Sequence, residues 1–246
     1  MIKALGPGFR LTLALTILTG LLYPGVMTGV SELIFPKQAN GSLVTVNSKV
    51  VGSALIGQSF TKPEYFFPRP SAAGNGYDAT ASSGTNLGPT SAKLLHGTTK
   101  MDDKGKEVVD FDGIEDRVVH YCLDNDIAYE SSAPLDQFKD SQGNLDDVRL
   151  IKAFNDDKKP LIFSPKVAIP SDAVTASASG LDPHISPANA EMQAARVAKA
   201  RGVTAEQVKP LVAQFTDRAD WGFLGEPRVN VLLLNVALDQ KFPLSK

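Results

Sequence analysis

The chain has 246 residues, 25 Lys and Arg against 27 Asp and Glu, a formal net charge of −2, three histidines and one cysteine. So balanced a charge leaves no electrostatic footprint for nucleic acid or anionic lipid beyond the first residues. The lone Cys122 excludes an intrachain disulfide. From Leu11 to Ser31 no residue is charged. At 1.5 Å rise per residue this helix would cross the roughly 30 Å hydrocarbon layer of a bilayer. Lys3 and Arg10 precede it and Glu32 follows. The positive-inside rule then predicts a cytoplasmic leader (1–10), a transmembrane helix (11–31) and an extracytoplasmic domain (32–246). The hydrophobic part of a cleaved signal peptide is shorter, and Gly29-Val-Ser31 is a poor cleavage site, which favours a retained anchor. Thr12, Thr16, Gly20, Pro24 and Thr28 recur every fourth residue, with Gly25 and Gly29 beside them. Small residues at this spacing predict a face on which another membrane helix packs.

Past the anchor, the stretch from Leu43 to Phe60 predicts short strands and turns. Residues 63–89 are rich in Gly, Pro, Ser and Asn, a composition shared with linkers. Tyr65, Phe66 and Phe67 argue for an ordered, packed loop instead, with Arg69 and Asn86 tying down carbonyls and turns. From about Gly97 to Asp157 aspartates dominate, and the pattern lacks the Gly and terminal Glu of a calcium loop. We read this stretch as a solvated surface insertion carrying two amphipathic helices, over 114–123 and 146–154. A strand is predicted over 161–169. Ser186 as N-cap and Pro187 at the first helical position open a helix that stops at Gly202. Thr204-Ala-Glu-Gln207 is a capping box for a second helix to about Thr216. The apolar run Val229–Leu238 predicts a central strand. The fold class expected is therefore one transmembrane helix plus an α/β or α+β domain.

Catalytic signatures are missing from the sequence: no phosphate loop, no GxGxxG, no HExxH and no CxxC. His96, His120 and His184 are far apart in the chain and lack ligand spacing. Asp182, His184 and Ser186, with Glu191 or Glu226 nearby, are the one set that could support nucleophilic catalysis in an anchored exported hydrolase. Against it, Ser186 is committed to the helix start. Glu226 and Arg228 read as an ordering pair around a turn. A free-standing anchored binding module is the other alternative.

Taken in order, five motifs resemble the C subunit of the Kdp potassium-transporting ATPase. They are Tyr65-Phe-Phe67-Pro-Arg69-Pro70-Ser71-Ala72, Asn86-Leu-Gly88-Pro89, Ser179-Gly180-Leu-Asp182-Pro-His184-Ile-Ser186-Pro187, Arg196-Val-Ala-Lys-Ala-Arg201 and Leu224-Gly225-Glu226-Pro-Arg228-Val-Asn230-Val231. The Pro24-containing anchor and Gly52-Ser-Ala-Leu-Ile-Gly-Gln58 fit the same family, and only the acidic stretch departs from it. The resemblance implies a non-catalytic accessory subunit of an ATP-driven potassium importer in the plasma (inner) membrane. Its partners would be a channel-like subunit, a P-type ATPase subunit and a small peptide subunit. It further implies that these partners handle ATP and potassium, and the expectation for this chain is no cofactor, no metal site and no catalytic residue. The family's C subunit is regarded as an assembly factor, and as a chaperone-like aid to ATP binding. With the domain opposite the cytoplasm, any effect on ATP has to pass through the partners. The motif residues are expected to be structural or to lie at interfaces.

Overall fold

A computed structural model describes residues 2–244, and the chain divides into two compact units, Met1–Leu55 and Ile56–Lys246. The first unit is led by α1 (Ile2–Ile17), a π turn (Leu18–Leu22) and α2 (Tyr23–Ile34), followed by the short α3 (Pro36–Ala39). From Ala4 to Ile34 these form one 31-residue helix, long and apolar enough to cross a membrane, with its surface unburied. The helix is longer than the uncharged stretch, because residues expected as a leader are helical too. The π turn lies one turn ahead of Pro24, whose missing N–H disfavours regular α bonding there. A π turn holds one residue more than an α turn. It therefore carries the Thr12–Thr16–Gly20 row onto Gly25 and Gly29 rather than onto Pro24 and Thr28. A hairpin of β1 (Leu43–Val46) and β2 (Lys49–Ser53) completes the unit. Its turn residues Asn47 and Ser48 both have positive φ, as a tight hairpin turn requires.

The second unit runs through α4 (Ala92–His96), β3 (Thr98–Met101), β4 (Glu107–Phe111), α5 (Ile114–Asp124), β5 (Tyr129–Ser131), α6 (Asp147–Phe154), β6 (Phe163–Pro165) and α7 (Ser171–Val174). There follow β7 (His184–Ile185), α8 (Pro187–Ala200), α9 (Ala205–Gln214), β8 (Thr216–Asp217), β9 (Arg228–Asn230) and α10 (Val231–Lys241). Every strand pair is antiparallel: β3 with β4, β5 with β6, and the three-stranded order β7-β9-β8. Of the two fold classes expected, the α+β arm holds.

Two cores organise this unit. One gathers Phe66, Ile185, Val197, Val208, Leu211 and Leu234 between α8, α9, α10 and the three-stranded sheet. The other gathers Val119, Leu135, Leu150 and Phe154 of the acidic stretch with Leu161 just after it. Two expectations are corrected here. The acidic stretch is not a solvated loop: its apolar residues, spaced at three and four on α5 and α6, close a core of their own. The run Val229–Leu238 is not a central strand: only Arg228–Asn230 pairs, and Val231–Lys241 is helix. Asn230 is the switch, because its side-chain oxygen accepts a hydrogen bond from Leu233 N at 3.1 Å and caps the helix. A helix buried on most sides is apolar all round, and periodicity alone cannot tell it from a buried strand. The strand expected over 161–169 shrinks to Phe163–Pro165. The helices expected over 114–123, 146–154, from Pro187 and from Thr204 form within a few residues of their predicted bounds.

Candidate functional site

The motif Tyr65–Ser71 forms an extended segment held by side chains rather than by a neighbouring strand. Asn235, on α10, accepts from Phe66 N at 2.9 Å and donates to Phe66 O at 3.0 Å. Gln193, on α8, does the same for Phe67, at 2.7 and 3.1 Å. Successive peptide groups of an extended chain point to opposite sides, so two primary amides on two helices grip it from both. Arg196 completes the clamp. Its guanidinium donates to Pro63 O (2.7 Å), Tyr65 O (3.0 Å), Gln193 Oε1 (2.7 Å) and Asn125 Oδ1 (3.1 Å). It also lies 3.7 Å from the centre of the Phe67 ring. Burial lowers the Arg196 pKa to about 10, which leaves it charged at neutral pH. Arg201, one turn on, donates to Glu64 O and Phe242 O and pairs with Asp239.

The same network ties in the acidic stretch. Tyr121, on α5, donates to Asn189 Oδ1 at 2.8 Å, Asn189 donates to Asp172, and Asp172 accepts from Ser186 Oγ at 2.8 Å. The acidic stretch is thus keyed to α8 by two buried hydrogen bonds, one that Tyr121 donates to Asn189 and one that Asn125 accepts from Arg196.

Asp182 bridges Arg69 Nη1 (3.0 Å) and His184, whose backbone N–H donates to it at 2.9 Å and whose Nδ1 lies 3.4 Å away. Burial alone would raise the Asp182 pKa, but the hydrogen bonds from His184 and the Arg69 charge outweigh it and hold the carboxyl below its ordinary value. Arg69 also reaches the carbonyls of Thr175 and Ala176, as expected of a loop-ordering residue. Ser71 donates to Gly180 O at 2.6 Å, and Pro70 lies beside it on the cavity described below. Gly180 has φ +67, and a Cβ there would fall 2.5 Å from Ser83 O, so only glycine fits. The hydrolase triad does not assemble: Ser186 Oγ is spent on Asp172 and on capping Asn189 N, not on His184. Arg228 pairs with Asp220 at 3.4 Å, which replaces the expected pairing with Glu226.

The other motif residues lie outward. Asn86 has positive φ, and Asn86, Gly88 and Pro89 are exposed. Gly225 and Glu226 sit in an exposed loop with Trp221 and Phe223, which are 86% and 74% exposed. In the first unit, Thr16 Cγ2 lies 4.0 Å from where a Cβ on Gly20 would stand, so these two share a face. Gly25 and Gly29 have open space around them.

A cavity of about 530 Å³ opens beside the clamped segment, lined by Phe67, Arg69 and Tyr77 on one side and by Asp116, His120 and Asp147 on the other. Burial pushes the Asp116 carboxyl up to about 7. The hydrogen bond to Asp147 Oδ1, 2.9 Å from His120 Nε2, raises His120.

Residues 5–146 and 140–240 match the family described as K+-transporting ATPase, c chain. The chain belongs to that family, KdpC. Among its relatives, the potassium-transporting ATPase KdpC subunit of Rhodospirillum rubrum is 42% identical over 245 residues, covering all of both chains. That of Beijerinckia indica is 40% identical over 246 residues, all of this chain and 98% of the relative. That of Mycobacterium tuberculosis is 41% identical over 240 residues, 98% of this chain and all of the relative. Members of this family are non-catalytic, accessory subunits of the Kdp potassium import complex, and so is this chain. The three matches cover 98% or more of this chain, so most of residues 97–157 falls within the length they share.

Sequence reasoning picked out Arg196 and Arg69 but missed Gln193 and Asn235, which hold the segment, Asn189, which supports Gln193, and Asp116, His120 and Asp147. The i, i+4 spacing of Asp116 and His120 was the available signal. It was hidden by the abundance of aspartate around it.

Proposed function

We propose that the helix Ala4–Ile34 anchors this chain in the plasma membrane with its N-terminus cytoplasmic, and that the domain from residue 32 onward is extracytoplasmic. There it acts as an assembly subunit against the channel-like, P-type ATPase and small peptide subunits of the Kdp complex. Whole-length similarity to KdpC subunits carries this reading. Lys3 and Arg10 ahead of the apolar stretch support the orientation. The small-residue row Thr12, Thr16, Gly20, Gly25 and Gly29 supports helix packing in the membrane. ATP and potassium are handled by the partners, and this chain adds no group to ATP chemistry. Its domain covers the outer mouth of the channel-like subunit, where a mildly acidic cover raises the local cation concentration. The exposed Trp221 and Phe223 support a partner-facing loop, since large apolar side chains clustered on a surface mark interaction sites.

Mild-detergent capture of the tagged chain tests this. Expected are the P-type ATPase and channel-like subunits with potassium-stimulated ATPase activity in the eluate, both lost when Gly20, Gly25 and Gly29 become Leu. Recovery of the chain alone, folded and in good yield, overturns the assembly role. Deletion of residues 36–246 without effect on transport affinity or complex yield overturns the cover.

A further inference from the structure

One cluster in the second unit takes no part in the clamp. Asp116 and His120 are four residues apart on α5 and so share a face, and Asp147 opens α6. One ligand atom from each, two carboxylate oxygens and an imidazole nitrogen, lies within 4.8 Å of the other two. Asp116 is only 3% exposed, and its Oδ1 has no hydrogen-bond partner among the described residues. A buried carboxylate oxygen with no donor is costly, and native folds rarely leave one without a ligand, water or ion. The neighbouring cation does not fill the gap. Arg117 is turned to Asp112, with Nε and Nη2 at 2.8 and 2.7 Å from its two oxygens, and donates to Val174 O.

We propose that Asp116, His120 and Asp147 bind one divalent transition-metal cation that pins α5 to α6. The donor set selects the class. Calcium and magnesium favour all-oxygen shells, and soft metals favour thiolate. Two carboxylates and one imidazole suit zinc or manganese, at about 2.0–2.2 Å per bond for zinc. From a mutual spread of 4.8 Å, closing on such an ion takes rotamer adjustments of three side chains on two packed helices, not a rearrangement of the fold. His120 would release its hydrogen bond to Asp147 and present Nε2 to the metal, and Asp116 Oδ1 would gain the partner it lacks. With three protein ligands, the remaining positions face the cavity and take water.

The test uses the full-length chain in detergent, stripped with chelator and titrated with Zn2+ and separately with Mn2+, read by calorimetry and by thermal unfolding. One equivalent per chain with a metal-dependent rise in Tm is expected for at least one of the two. Affinity should fall by at least about 100-fold in Asp116→Asn and in His120→Gln, since even outer-shell changes cost about 10–100-fold. Metal-free melting of each variant separates lost binding from lost folding, and Asp116→Asn keeps the side-chain volume. No saturable uptake of either metal overturns the site, as does uptake of unchanged stoichiometry and affinity in both variants.

Discussion

Arg196 and Asp116 are ionisable groups of opposite sign, both buried in the second unit, the first bonded to the acidic stretch and the second part of it, yet their surroundings differ completely. The Arg196 guanidinium spends its donors on four acceptors and its face on the Phe67 ring. Asp116 leaves an oxygen with no partner among the described residues and has a cavity in front of it. A fully satisfied buried charge fixes one arrangement of the chain around it, whereas an unsatisfied one is a place where something else can bind. The first belongs to the motif block Arg196–Arg201 and holds the Tyr65–Ser71 segment in place. The second lies in the stretch whose aspartates looked interchangeable.

The largest effect should follow from breaking the satisfied cluster. Arg196→Ala strands the partly buried carbonyls of Pro63 and Tyr65 and takes a donor from Gln193, and at about 1–3 kcal/mol for each stranded group it should cost several kcal/mol in denaturant unfolding. Arg196→Lys should recover little of it, because an ammonium cannot reach four acceptors from one plane. If lysine restored most of the stability, charge alone would explain the site and the clamp geometry would be irrelevant.

Next in size is the core that supports the unsatisfied cluster. Leu150→Ala, on the helix that Asp147 opens, should cost about 2–5 kcal/mol as a buried large-to-small change. Leu234→Ala in the other core should cost a similar amount, and the double variant should be additive to within about 0.5 kcal/mol. A cost near zero for Leu150→Ala would return the acidic stretch to the solvated loop its composition predicts.

That composition shows how far the sequence could be read. Helix starts were legible because caps are local: Ser186, Pro187 and the Thr204–Gln207 box each act within one turn. The amphipathic helices over 114–124 and 147–154 were legible from spacing, but their shared core was not, since charge dominates any average over the stretch. The run after Asn230 was misread because a helix buried on most sides has the pattern of a buried strand, and the deciding cap is one asparagine. Gln193, Asn189 and Asn235 were invisible as a set. Asn189 and Gln193 are four apart on α8 and bond to each other at 2.8 Å, but Asn235, on α10, meets them only through the backbone of a distant loop, which no spacing in the chain encodes. The family motifs mark residues that hold the loop, but only the structure says what each one grips.

A smaller effect separates cost from benefit at Asp116. In the metal-free protein, Asp116→Asn should leave stability unchanged or raise it by about 1 kcal/mol, because burial already disfavours the ionised carboxyl and the amide carries no charge to desolvate. The opposite sign from Arg196→Ala is the sharpest contrast between the two clusters. A loss of several kcal/mol would mean that the carboxylate is already compensated in the folded chain.

The smallest effect concerns Asp182, half-buried and intermediate between the two extremes. Its folded pKa is held below the ordinary value by His184 and Arg69 against the opposing effect of burial. A carboxyl lowered on folding contributes stability that is fully present above its unfolded value, near 3.9, and is lost as pH falls through the folded value. Asp182→Asn should therefore lower stability by about 1 kcal/mol at neutral pH and flatten the decline below about pH 4. Unfolding midpoints measured from pH 7 down to the acid transition check both parts. An unchanged acid limb would assign that limb to the other carboxylates, Asp110 above all, which hydrogen bonds from Lys93 and Lys100 hold at about 2.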